Sequence, residues 1–260
     1  MAAGPPRSEV TVKSATETGA IRKVPSLAPY AAALSDYAAG QRSGSILLRS
    51  SLGECDHLPV HIFFREPEEF FPFELAAMEH CDGQVLDVGA GTGVHTLALQ
   101  DRGFEVTAID ILPEAVEVMK TRGVEDARVA DLRTLDAGSF DTILMLMNGI
   151  GPAGTLDGIG KILDSLSRRL RPGGQILVDS GEAKILAPPP DADQIEWPAD
   201  LSAYPGETWI SLEYGELRGE IFQELYVDEK TFRARAEAEG WRLDVLFWEE
   251  TGYVARLTRV

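Results

Sequence analysis

Apolar positions along this chain follow two alternating periods. Val85-Leu86-Asp87-Val88 is a short, almost wholly apolar run. Phe104–Asp110 and Ala127–Leu132 are β-branched or apolar runs that reach an acid, and Phe140–Met147 is apolar almost throughout. Continuous runs of this length mark strands covered on both faces. Between them the spacing becomes helical: from Val94, from Pro113, and over Ile159, Ile162, Leu163, Leu166 and Leu170. Gln175–Asp179 gives a fifth strand, announced by Arg171-Pro172-Gly173-Gly174, since proline followed by glycine stops the preceding helix. A helix over Glu229–Glu239 then precedes two further strand-like runs, Arg242–Trp248 and Tyr253–Leu257. The alternation predicts a doubly wound α/β sheet.

Two segments do not fit that alternation. Residues 26–70 read as an N-terminal cap, with a helix over Leu27–Ala39, a short strand around Ile46–Arg49 and a strand-like run Val60-His61-Ile62-Phe63-Phe64. Residues 181–227 read as an insertion after strand five. There Pro188-Pro189-Pro190 is a stiff link, and the alternating runs Ile210–Tyr214 and Ile221–Val227 flank a turn at Gly215–Gly219, predicting a β-hairpin that either covers the ligand crevice as a lid or serves sheet extension or dimer contact. The remaining 71–260 form the main domain, and the polar residues 1–25 read as a disordered tail. Phe71, Leu75 and Met78 share a helical spacing that predicts core positions.

Candidate chemistry concentrates where the first strand breaks. Gly89-Ala90-Gly91-Thr92-Gly93 is a turn whose glycines allow a sharp bend and close ligand approach, and the helix behind it offers free N–H groups to an anionic ligand. A dinucleotide fingerprint needs its third glycine where this chain has Val94, so that pattern is broken. Asp110 lies 21 residues after Gly89, the distance at which a doubly wound fold places a ribose-binding carboxylate; capping the helix that Pro113 begins is a second role that could coexist with it, but the spacing favours the ribose. Asp131 ends the third strand in the same way.

These motifs in order, with Asp87 ahead of the glycines and the Arg-Pro-Gly-Gly turn before strand five, resemble the class I S-adenosylmethionine-dependent methyltransferases from about Phe71 to Val260. The resemblance implies a seven-stranded, mostly parallel Rossmann-like sheet whose last strand runs antiparallel, and S-adenosyl-L-methionine as cofactor. It implies a cofactor site at Asp87, Gly89, Ala90, Gly91, Gly93 and Met147, with Asp110 and Ile111 at the ribose and Asp131 and Leu132 at the adenine. Arg65 is a candidate for the methionine carboxylate, or else a surface partner of Glu66, Glu68 or Glu69. The implied reaction is direct methyl displacement onto a small-molecule acceptor, in which the protein mainly aligns the reactants and excludes water. Asn148 and His61 are the candidate catalytic residues, with Tyr204 and Tyr214 as further places for a base. The alternatives are a protein that binds the cofactor without methylating and, more remotely, a nicotinamide-dependent oxidoreductase.

Charge narrows the acceptor. The chain of 260 residues carries a formal net charge of −18, although residues 1–25 are basic on balance. An acidic body repels polyphosphates, and the stretch after strand four, Met147-Asn148-Gly149-Ile150-Gly151-Pro152, departs from the Asn-Pro-Pro-aromatic turn of DNA amino-methyltransferases. No nucleic-acid partner is expected. Neither a membrane span nor a signal segment is apparent, and two cysteines without C-x-x-C spacing suit the cytoplasm. The four histidines lack zinc-ligand spacing, so no metal is expected, and a homodimer remains open.

Overall fold

A computed structural model of the chain describes residues 24–135, 139–186, 195–198, 204–250 and 252–260. The expected tail up to residue 23 and the Pro188–Pro190 link lie outside these residues. Five strands run parallel in the main sheet: β3 (Val85–Val88), β4 (Val106–Asp110), β5 (Ala127–Val129), β6 (Phe140–Met145) and β7 (Leu170–Ser180). The hairpin β11 (Trp241–Glu249) and β12 (Gly252–Arg259) completes it, with β12 antiparallel to β7. The order β11-β12-β7-β6-β3-β4-β5 reverses between β3 and β6, so the chain winds outward in both directions from that pair. A crevice opens there at the carboxyl ends of the strands, the place where doubly wound folds bind ligands.

Helices α2 (Pro72–Glu79), α3 (Val94–Asp101), α4 (Pro113–Arg122), α5 (Leu156–Ser167) and α6 (Glu229–Ala238) accompany the sheet. α5 starts where Thr155 accepts the Gly158 N–H at 3.1 Å, and α6 where Asp228 accepts that of Thr231 at 2.9 Å. Such caps satisfy backbone donors that the first helical turn leaves open. Ile159, Ile162, Leu163 and Leu166 of α5 and Phe232 of α6 pack into one apolar cluster with Ile143, Ile176 and Trp241 from the sheet. The expected turn before strand five is present as a loop within β7: Phe140 pairs with Leu170 but Thr142 with Gln175, leaving Arg171–Gly174 outside the ladder.

The N-terminal cap and the insertion are one structure. β1 (Ser45–Ser50) and β2 (Cys55–Pro59) pair antiparallel, and the hairpin β8 (Glu207–Tyr214) with β9 (Leu217–Arg218) and β10 (Phe222–Leu225) joins them through β8. Leu48 faces Leu212 across that join and Ser50 faces Ile210. The hairpin therefore extends the cap rather than the main sheet. Helix α1 (Ala28–Ala38) covers this second sheet, with Leu34, Ile46, Val60, Ile210 and Leu212 in one cluster that reaches Leu112 and Ala115 at the start of α4. Tyr214 ties the hairpin to α1 by donating to Asp36 at 3.2 Å.

Two expectations fail. Val60–Phe64 forms a 3₁₀ turn, not a strand. Its compact geometry delivers Phe63 edge-on to Tyr30 and stacks Phe64 on Tyr37, contacts that strict alternation would have split between two faces. In α2 the buried face runs through Glu74, Ala77 and Met78, while Phe71 and Leu75 are 38% and 44% exposed. A buried carboxylate thus occupies a position where apolar periodicity anticipated none.

Because cap and insertion share a sheet, Ile210→Ala should loosen both. We expect a loss of about 2–5 kcal/mol for truncating a fully buried isoleucine. Limited proteolysis should then nick residues 45–59 and 207–225 together while the main sheet stays protected. Cleavage confined to one of the two segments would separate them.

Candidate active site

The glycine turn is held from below by β4. Gly89 and Ala90 donate their N–H groups to the Ile109 carbonyl at 2.9 and 3.0 Å. Gly89 and Gly91 have φ of +70° and +57°, the left-handed region that a side chain disfavours, and a Cβ on Gly89 would project into open space. On Gly91 it would come 3.0 Å from the Tyr30 hydroxyl, so helix α1 borders the turn. Asp87 is buried and accepts from Thr96 Oγ1 at 2.6 Å, which clamps α3 onto β3. Burial raises its pKa, against the opposing effects of His95 and Thr96.

Asp110 spans two loops. One carboxylate oxygen accepts the Gly91 N–H and the other that of Leu112, each at 2.9 Å. Burial pushes its pKa up to about 6, the backbone N–H groups of Leu112 and Gly91 pull it down, and Asp87 pushes it up again. The Ile111 backbone N–H also acts on it, and since a carboxylate has about four acceptor positions, capacity for a ligand hydroxyl remains. The Leu112 contact ties down the entry of α4 but does not cap the helix, whose N-cap residue is Leu112 itself, with no side-chain capping hydrogen bond among the described residues. Ile111 beside it is half-buried and Ala90 is buried. Asp131 lies just past β5, but its carboxylate is engaged by the Arg133 guanidinium at 2.6 Å and by the Arg133 N–H at 2.9 Å, with Leu132 buried next to it.

On the other side of the turn, Arg65 is 6% exposed, which removes it from the surface where Glu66, Glu68 or Glu69 could have paired with it. Its Nη2 donates to Glu74, whose Oε1 also lies 2.7 Å from His95 Nε2, while Glu74 Oε2 accepts the Phe71 N–H at 2.6 Å. The same Nη2 is 3.9 Å from the Met147 sulfur. Arg65 Nε and Nη1 are shut off from solvent and have no hydrogen-bond partner among the described residues, an arrangement that costs free energy unless an acceptor arrives.

After β6 the backbone turns left-handed at two consecutive non-glycine residues, Met147 at φ +66° and Asn148 at φ +61°. Asp179 at the end of β7 holds this turn, taking the N–H of Asn148 on one oxygen at 2.9 Å and that of Gly149 on the other at 2.8 Å. Burial pushes Asp179 up to about 6, while those N–H groups and His95 oppose the shift. A pocket of about 140 Å³ opens here, lined by Phe73, Asn148, Asp179, Ser180, Gly181, Tyr226, Glu249, Gly252 and Tyr253. Asn148 Nδ2 points at Glu224 Oε2, 3.4 Å away, and its Oδ1 is buried without a partner.

Asn148 is therefore in the pocket wall, whereas His61 is exposed on the 3₁₀ turn and is not among the lining residues. Tyr204 is occupied with Asp228 and Tyr214 with Asp36, and neither lines the pocket. Sequence reasoning missed Asp179, Tyr226, Glu249 and Tyr253. Asp179 carried a signal, since it ends its strand in an acid just as Asp110 does.

A family model described as a methyltransferase domain matches residues 85–174. A SAM-dependent methyltransferase from Bacteroides fragilis, solved in complex with S-adenosyl-L-homocysteine, matches 92% of this chain and 97% of its own at 36% identity and a TM-score of 0.80. A ubiquinone biosynthesis O-methyltransferase of Xanthomonas oryzae pv. oryzae is 31% identical over 116 residues, 40% of this chain and 46% of the relative. The match thus spans just under half of that curated relative. A methyltransferase of Streptomyces caelestis shares the fold, with a TM-score of 0.56 at 14% identity over 72% of this chain and 88% of its own.

A ligand whose hydroxyls donate to Asp110 requires the carboxylate ionised. With its pKa at about 6, protonation removes an acceptor as pH falls through that value, so affinity for S-adenosylhomocysteine should drop between pH 7.5 and 5. In Asp110→Asn, calorimetry over the same range should find weaker binding and a flatter pH profile. An unchanged pH dependence in the variant would place the titrating group elsewhere.

Proposed function

The chain belongs to the S-adenosylmethionine-dependent methyltransferases, and from that membership we propose that it transfers the donor's methyl group to a small-molecule acceptor seated in the pocket beyond β6 and β7. The observation that carries this reading is the convergence at one crevice of the Gly89–Gly93 turn, Asp110, the unsatisfied N–H groups of Arg65 and the Asn148 pocket. These residues suit the donor. Arg65 has two buried donors for its methionine carboxylate, Gly89 leaves backbone space, and Asp110 keeps acceptor positions for ribose hydroxyls. Asp131 and Leu132 would meet the adenine and Ile111 the ribose, while Met147, beside Arg65, would flank the methionine end.

When bound, the donor supplies a methyl group already activated on a sulfonium, so no covalent enzyme intermediate is needed. The protein's work is alignment and dryness. Asp179 fixes the Met147–Asn148 turn between the two halves of the crevice and so sets where acceptor meets donor. Asn148 Oδ1 is placed to receive a hydrogen bond from the acceptor. Helix α1 and the second sheet border the cofactor turn through Tyr30 and supply Tyr226, just after β10, to the pocket, which limits water access from that side. Arg65, Glu74 and His95 form a buried set linking the cap, α2 and α3.

Incubation with methyl-labelled donor and candidate metabolites tests the reaction directly; failure to label any acceptor while the donor binds would leave a binding protein. Asp110→Ala should weaken the donor by about 1.5–3 kcal/mol, roughly tenfold to a hundredfold.

Arg65→Lys should weaken S-adenosylhomocysteine about tenfold yet leave 5′-methylthioadenosine, which lacks the carboxylate, within about twofold. Equal losses for both ligands would make Arg65 purely structural.

A further inference from the structure

The pocket has a chemical bias of its own. Among the described residues its lining includes two carboxylates, Asp179 and Glu249, and no lysine, arginine or histidine. A third carboxylate, Glu224, sits behind Asn148 and orients that amide, so that Nδ2 faces Glu224 and Oδ1 is left as a buried acceptor without a donor. The Tyr253 hydroxyl is already used, donating to the Val227 carbonyl at 2.8 Å, and Ser180 Oγ receives the Val227 N–H at 3.1 Å. Hydrogen-bond acceptors therefore dominate the wall, with burial pushing Asp179 up to about 6 and Glu224 behind it up to about 7.

Its dimensions add a second constraint. At about 140 Å³ it falls below the range of roughly 300–1,000 Å³ that encloses whole small-molecule ligands, so it takes the reacting end of an acceptor and leaves the body outside. Two lining rings continue outward as stacked pairs. Phe73 lies parallel to Phe71 with centroids 5.6 Å apart, and Tyr253 lies parallel to Trp248 at 5.6 Å. Of the outer members Trp248 is 56% exposed, whereas the Phe71 ring carries the Arg65 guanidinium 4.5 Å from its centroid. Flat apolar faces of this kind suit a planar apolar group.

We propose that the acceptor is an amine carrying a planar apolar body, its nitrogen held among Asn148, Asp179 and Glu249 and its body against the Trp248–Tyr253 ring pair. The proposal rests on the methyltransferase reading above and specifies the acceptor of that same site. An ammonium is drawn to the carboxylates and gives up one proton, to water or to Asp179, before reacting. The freed nitrogen lone pair then forms the N–C bond while the C–S bond breaks with its electrons going to sulfur. The positive charge passes from sulfur to nitrogen, and the carboxylates stabilise it where it arrives. A phenol or alcohol must instead lose its proton to become a good nucleophile, and the same carboxylates oppose that anion. The wall's own phenols respond accordingly: the Tyr226 hydroxyl is raised by burial and by Glu224, Glu54 and Asp179. Asn148 lies within residues 85–174, whereas the other lining residues lie outside that family match, with Asp179 at the end of β7 and Glu249 in the C-terminal hairpin.

The test uses the full chain loaded with S-adenosylhomocysteine and matched probes that differ only in the head group: 2-phenylethylamine against 2-phenylethanol, and tryptamine against tryptophol. Calorimetry should give each amine at least about tenfold tighter binding than its alcohol. Glu249→Gln, an uncharged replacement of similar shape at a strand end, should shrink that ratio several-fold without changing S-adenosylhomocysteine affinity. With labelled donor, the amines should acquire methyl groups on nitrogen. Alcohols binding as tightly as the amines, catechol being methylated in preference to them, or a ratio indifferent to Glu249→Gln would overturn the proposal. Absence of amine binding would do so too. Cofactor binding, measured first on the same protein, reads the methyltransferase assignment separately: loss of cofactor binding defeats that assignment, whereas intact cofactor binding with no amine preference defeats only this one.

Discussion

Carboxylates at the ends of buried strands, accepting backbone N–H groups from neighbouring loops, are the contacts on which this site depends. Asp110 joins the glycine turn to the entry of α4, and Asp179 joins the end of β7 to the turn after β6. Each loop follows a strand that ends at the same edge of the sheet, so each would present unpaired donors to the crevice. A carboxylate satisfies two at once, and such charged hydrogen bonds are worth more than neutral ones. The cost is a buried anion, visible in pKa values raised to about 6 at both positions. Left-handed backbone at Met147 and Asn148 is a further strain of the kind that persists only where surroundings hold it. Here the surroundings are the two oxygens of Asp179.

The main sheet was legible in the sequence because its strands are covered on both faces and read as unbroken apolar runs. The ends shifted by a few residues, as with Phe104, which precedes β4, and Leu170, which begins β7 rather than ending α5. Asp110 could be singled out because its distance from Gly89 is fixed by one strand–helix–strand unit. The second sheet could not be assembled by that means. Its parts were visible, a strand near Ile46 and a hairpin after Ile210, yet their partnership rests on pairing between distant residues that leaves no local mark. Glu74 was missed for a different reason: a buried carboxylate balanced by Arg65 and His95 looks, in sequence, like an ordinary exposed position on a helix. The pocket was partly legible through Asn148 and invisible at Tyr226, Glu249 and Tyr253, which converge only once the hairpin β11–β12 and the second sheet are in place.

The molecule divides its labour along the same line. The stretch matched by the family model contains the glycine turn, Asp110, Asp131 and the Met147–Asn148 turn. The cap, insertion and C-terminal hairpin contribute Arg65, Tyr30 and most of the pocket wall. Changes among the pocket-wall residues of the second group, as distinct from Arg65 and Tyr30, can alter which molecule is accepted while leaving the donor's cradle intact, and variation of this sort is how one fold serves many acceptors.

The pairing of β1 with β8 has a consequence for the order in which the chain takes shape. Arg49 and Glu213, which pair across that join, are 164 residues apart in sequence. During synthesis the N-terminal strands emerge long before their partner, and no amount of local structure can complete their sheet. β3 through β7, by contrast, can wind up from neighbouring segments as they appear. The cap must therefore wait, its apolar face uncovered, until the insertion reaches it. The enclosure around the active site is consequently among the last parts of the molecule to close, and this waiting face is where a chaperone or an errant second copy of the chain would first find purchase.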